Sequence, residues 1–318
     1  MDAKSAKEKA CFFYLIDSSV NGILALSIIV LNGMIITLYC KNKRMHRKIP
    51  NILLMHQAVV DLFNAMHGIS LVIEFLLFCI YNTLSPVDFI HLKLVQLFLF
   101  TASTFTSLLN FSLITVERLL AIYKPFFHRS KVTKKAVYLS IAAIWFISTG
   151  LASVTVIEGK LVYFTRLVYM VTKSPFARIC YGLYVISVVS LTPILILTYM
   201  RAKKSVKNND ERKRRQSSIG QQPNITIKRS TKELQLVKIF GLMYLGFFVA
   251  FVPIFFYPYI FSLDMSIRMV AIAVWHVLLL LSSIFNPILT LIMKKDFSCR
   301  NISSGKNRET ISRTSYSE

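Results

Sequence analysis

Seven apolar runs, each long enough to cross a lipid bilayer, take up most of this chain, and nearly every one carries a residue that is out of place in lipid. The runs fall at about 21–40, 50–80, 92–122, 136–158, 177–200, 236–261 and 268–293. Each reaches the roughly 20 residues that a helix needs to cross a ~30 Å hydrocarbon core. Their continuity points to helices, because the strands of a membrane barrel alternate between lipid-facing and lumen-facing residues. With 54% of 318 residues hydrophobic and 17% charged, the chain has more apolar surface than a soluble domain could hide. The expected fold is an all-α membrane protein. A seven-transmembrane helix bundle over 21–293 follows an extracellular N-terminal tail over 1–20 and precedes a short amphipathic cytoplasmic helix and tail over 294–318.

A net charge of +23 suggests a nucleic-acid binder until its distribution is read. Of the 38 Lys and Arg, 27 lie in 41–50, 124–135, 201–232 and 294–318, all on one side, and nine lie on the other. The positive-inside rule then puts the N-terminus outside and the C-terminus in the cytoplasm of a multi-pass plasma-membrane protein. The basic excess reads as topology and attraction to anionic lipid, with no nucleic-acid partner. Residues 1–10 are polar and no small-residue cleavage site follows the first run, which is expected to stay as a signal anchor. The five cysteines lack zinc or redox spacing; Cys11, Cys79 and Cys180 fall on the outer side, Cys40 and Cys299 on the reducing inner side. The sequons at Asn224 and Asn301 are cytoplasmic and that at Asn110 lies within a span, so none is expected to be used. The Lys/Arg-rich connection 201–232 is expected to be disordered beyond the helix ends.

Asn32 interrupts the first run, Asp61 the second, Ser107 the third, and Ser282, Ser283 and Asn286 the seventh. Asp61, Ser107, Ser282 and Asn286 at one depth would offer a carboxylate with hydroxyl and amide oxygens, a set suited to a hard cation such as sodium or to a protonation switch. The alternative is hydrogen-bonded glue between helices. Pro193, Pro253 and Pro287 each remove a backbone donor from a late helix and create a pivot. Glu117 and Arg118 stand at the end of the third run, where charge is tolerated if it pairs or works.

Taken together, Asn32, Ala58 with Asp61, Glu117-Arg118-Leu119, Trp145, Pro193, Phe247 with Pro253, and Asn286-Pro287 fall one set per span and in order. In this the chain resembles the rhodopsin-like (class A) G-protein-coupled receptors over about residues 20–300. The resemblance implies that Arg118 is restrained by Glu117 and by Glu233, and that breaking the restraint lets the sixth span swing out to admit a heterotrimeric G protein. It implies that Pro125 and Phe126 pack on that partner, and that Leu108, Pro193 and Phe247 relay between ligand pocket and cytoplasm.

Departures from the family pattern are equally specific. Phe251 stands above Pro253 in place of the usual tryptophan, Thr290 replaces the seventh-span tyrosine, and Arg201 replaces the fifth-span tyrosine, with Tyr199 two residues early. Lys93 replaces the third-span cysteine, which leaves Cys11, Cys79 and Cys180 as candidates for a substitute disulfide. Phe100 takes the place of the amine-pairing aspartate, so a buried ammonium would lack a counter-ion. Phe100, Thr104, Ile254, Phe255 and His276 describe an apolar pocket for a lipid-like or peptide ligand, with His276 equally readable as a packing residue. Asp61 is the one deep carboxylate in this reading, which argues against a transporter. Ser217 follows Arg214-Arg215-Gln216, a pattern that suits a basophilic kinase, and eight Ser/Thr between 298 and 318 could recruit arrestin once receptor kinases act. Cys299 is the palmitoylation candidate. The expected function is a receptor that activates G proteins, with a receptor-like scaffold or heterodimer partner without productive coupling as the alternative; no catalytic constellation is present and sodium is the only cofactor expected.

Overall fold

The computed structural model describes residues 3–43, 45–83, 85–165, 175–217, 225–255 and 264–293. Among these there is no strand, and seven helices are long and apolar enough to cross a membrane. Helix α1 runs Ala3–Lys41, α2 Ile49–Phe75, α3 Pro86–Tyr123, α4 Pro125–Lys131, α5 Lys134–Thr165, α6 Pro175–Ser217, α7 Ile225–Phe255 and α8 Met265–Met293. The short α4 lies between the third and fourth spans, so the fourth to seventh spans are α5 to α8. The last turn of the second span, Leu76–Ile80, is π-helical.

Local chemistry sets several helix starts. Pro50, Pro86 and Pro125 occupy first-turn positions of α2, α3 and α4, where proline's missing N–H costs nothing. Ser85 caps α3, its hydroxyl accepting from the Asp88 N–H at 3.2 Å and donating to the Asp88 carboxylate at 2.6 Å. The chain reverses before α3 through Asn82, whose φ of 49° is one that Asn tolerates better than most residues.

Several helices run further than their apolar runs, α1 and α6 by the most. Residues 3–20, expected as a tail, are helical in α1, and a disulfide between Cys11 and Cys79 fastens that extension to the end of the second span, with Cα atoms 5.6 Å apart. This resolves the disulfide left open among three cysteines; the Cys180 side chain lies outside those described. At the other end α6 continues to Ser217 instead of ending near the membrane. Hydropathy marks only where lipid is, while Lys, Arg, Glu and Gln are good helix formers that carry a helix on into water. Residues 218–224 lie outside the described residues.

Helix α3 is the axis of the bundle and touches α2, α5, α6 and α7. In its apolar window 67% of residues are buried inside the protein, against 17% for α5, which faces lipid. Helices α1, α2 and α8 pack closely at Gly68. A Cβ there would come within 3.1 Å of Ala25 Cβ and 3.2 Å of Leu280 Cδ1.

Candidate functional site

At the inner end of the bundle Arg118 is almost wholly buried, at 3% exposure. Its guanidinium donates to both carboxylate oxygens of Glu117 through Nε and Nη2, and through Nη1 to Glu233 on α7 at 2.5 Å. A planar fork with five N–H groups suits such a double engagement, because it can hold one carboxylate side-on and reach a second. Residues Glu117, Arg118 and Glu233 are thus brought together. His128, which sequence reasoning passed over, joins them: its Nε2 lies 2.8 Å from Glu117 Oε1. It reaches Glu117 because α4 begins at Pro125 and turns its fourth residue back toward α3. Phe126, on the same helix, points away and is 86% exposed. A cavity of about 410 Å³ opens beside the cluster, lined by Arg47, Lys48, Glu117, Arg118, His128 and Glu233 among others. Gln235 Nε2 also ties α7 to α8, donating to the Met293 carbonyl at 2.5 Å.

Midway through the bundle lies a polar core around Asp61, which is 1% exposed. Asn286 Nδ2 donates to Asp61 Oδ2 at 3.0 Å, and Gln57 Nε2 donates to Asp61 Oδ1 at 3.2 Å and to Ser107 Oγ at 3.4 Å. Asp61 accepts an amide N–H at each of its oxygens, which fixes the direction of the hydrogen bonds behind it. The nitrogen of Gln57 must face Asp61, and its oxygen therefore accepts from Asn110 Nδ2 at 2.8 Å. The oxygen of Asn110 in turn faces His56 Nδ1 at 2.9 Å, which makes that nitrogen the donor. Asn110 is fully buried in this chain of bonds.

The polar residues expected to share one depth do so with different roles. Ser107, Ser282, Asn286 and Thr104 line one small cavity with Asp61 and Gln57. Ser282 directs its hydroxyl to the Leu279 carbonyl at 2.7 Å, back onto its own helix. Asn32 does not reach Asp61; its Nδ2 donates to the carbonyls of Ile28 at 3.1 Å and Ser283 at 3.3 Å. Pro287 explains the second bond. Having no N–H, it leaves the carbonyl four residues earlier, that of Ser283, without its helical donor, and Asn32 supplies one. Asp61 Oδ1 and Ser107 Oγ, two of the oxygens expected to face a sodium ion, share the Gln57 N–H₂ group.

An aromatic stack joins the two polar regions. The ring of Phe247 lies 5.1 Å from Phe111 and 4.4 Å from Phe251, in one core cluster with Leu108. Near Pro193, the Tyr244 hydroxyl donates to the Val188 carbonyl at 3.0 Å and lies 3.0 Å from the Thr192 hydroxyl, fastening α7 to α6. The side chain of Pro253 lies outside those described. Thr290 turns its hydroxyl to the Asn286 carbonyl at 3.0 Å within its own helix.

Toward the outer end, His276 and His67 meet edge to face with ring centroids 5.1 Å apart, and Phe100 packs on His67 at 5.8 Å and on Trp275 at 5.2 Å. The side chains of Ile254, Phe255 and Ser217, and residue Cys299, lie outside those described. Asp61 is not the one deep carboxylate. Glu74, near the end of the second span, is 2% exposed and accepts from Lys93 Nζ at 2.7 Å and Gln96 Nε2 at 2.8 Å. Its signal was present as an acid inside an apolar run, but its cation sits on another helix, 19 residues away. Lys93, at the position of the missing cysteine, thus holds α3 to α2 by charge.

A model of the seven-transmembrane receptor (rhodopsin) family matches residues 31–289. A comparison with curated proteins returns no match.

Proposed function

Because the chain belongs to the rhodopsin family of seven-transmembrane receptors, we propose that it senses an extracellular, non-amine ligand and activates heterotrimeric G proteins by outward movement of the sixth span, α7. The observation that carries this reading is Arg118, held between Glu117 on its own helix and Glu233 on α7. Arg118 is buried and Glu233 a quarter exposed, so this charge-assisted bond contributes about 1.5–3 kcal/mol to holding α7 closed until ligand binding supplies a comparable bias. Pro125 and Phe126 present the α4 surface to the G protein, and the core of Leu108, Phe247 and Phe251 with Pro193 and Pro287 links that movement to the outer pocket.

The ligand is lipid-like or peptidic. Phe100 offers an ammonium no counter-ion, and the nearby carboxylate of Glu74 is already engaged by Lys93. The chain resides in the plasma membrane with its N-terminus outside. Receptor kinases and arrestin act on Ser217 and on the C-terminal Ser/Thr, and Cys299 is palmitoylated. The decisive experiment measures nucleotide exchange on added G proteins by the reconstituted receptor under a panel of lipids and peptides, beside Arg118→Ala. Exchange in the parent and not in the variant supports coupling. Thr290, turned onto its own helix, favours a second reading, a receptor-like scaffold, which would give no exchange in either form.

A further inference from the structure

We infer that the Gln57 carboxamide occupies the seat of a cation in the polar core, so that this receptor holds its core closed without a sodium ion. Gln57 lies one helical turn before Asp61, on the same face of α2, and is 1% exposed. Its Nε2 stands between Asp61 Oδ1 and Ser107 Oγ, at 3.2 and 3.4 Å, and so joins α2 to α3 as a bridging ion would. The second Asp61 oxygen is taken by Asn286 of α8. Three helices are therefore drawn together by two neutral amide groups around one acid.

Two features keep Gln57 in place. The Asn110 bond to its oxygen prevents the carboxamide from turning over, because the reversed group would set its oxygen against Asp61 and its nitrogen against the Asn110 donor. Admitting an ion would require Gln57 to withdraw. That would strand its own buried polar atoms and leave Asn110 with a donor unmatched, a cost each time of the kind that buried unsatisfied groups carry. Asn110 is held in turn by His56, whose ring packs edge-on against Trp145 at 6.1 Å. The seat is thus filled from within and braced through α3 to α5.

The test needs neither ligand nor G protein, so its failure is separate from failure of the receptor reading. The melting temperature of the purified receptor is measured against sodium chloride and against potassium chloride at equal ionic strength. The parent is expected to melt identically in both. Gln57→Leu, which empties the seat and keeps an apolar volume, is expected to gain a sodium-specific rise of roughly 3 °C at saturating salt. Asp61→Asn in that background removes the gain. A sodium-specific rise in the parent that Asp61→Asn abolishes overturns the inference, as does a folded Gln57→Leu protein with no gain. Should Gln57→Leu fail to fold, Gln57→Met supplies the same comparison, and the parent's response alone can still refute the proposal.

Discussion

Glu117 receives two donors, Arg118 and His128, and only the first belongs to its own helix. The imidazole therefore makes α4 part of the restraint on Arg118. His128→Ala should raise ligand-free nucleotide exchange about fivefold, which corresponds to losing ~1 kcal/mol from a partly exposed hydrogen bond to a charged group. His128→Gln retains a donor at similar reach and should return exchange to the parent level. Glu233→Gln preserves shape while removing the charge on α7 and should raise the same activity by at least tenfold, the effect of about 1.4 kcal/mol. An exchange assay in lipid nanodiscs reads all three. Arg118 and Glu233 were legible in the sequence because charge in or beside an apolar run is conspicuous. His128 was not, because a histidine in a basic connection has no distinguishing spacing, and its role depends on how α4 leaves α3.

The helices are fastened by unlike means at their outer ends. Cys11 and Cys79 join α1 to the second span covalently, whereas α3 is joined to α2 by the Lys93–Glu74 pair and Gln96. Lys93→Met removes the cation and leaves the buried Glu74 carboxylate with one amide donor, which should lower stability by about 3 kcal/mol. Lys93→Met combined with Glu74→Met should recover much of that loss, since two apolar groups leave no charge stranded. Thermal unfolding of the single and double variants distinguishes these outcomes. Gly68→Val should also destabilise, because even one Cβ there meets Ala25 and Leu280 at close to 3 Å. The number and order of spans were readable from hydropathy, whereas the extensions of α1 and α6 were not. Beyond the membrane, a helix is held by its charged helix formers or by a disulfide, and neither leaves an apolar signature.

Across the whole molecule, single polar residues in apolar helices marked where buried polar contacts join the helices, in a chain that the rhodopsin-family model matches over residues 31–289. Partner choice was harder to read. Asp61, Ser107 and Asn286 do share one depth, yet what satisfies Asp61 was set by Gln57 and Asn110, neutral residues whose importance appears only when α2 and α3 lie side by side. The backbone defect at Pro287 has a related consequence for motion. The spare carbonyl of Ser283 is gripped by Asn32 from α1, so the last span cannot bend at its proline without slipping the grip of the first. The joint comes with its own latch, and the latch is mounted on the opposite end of the chain.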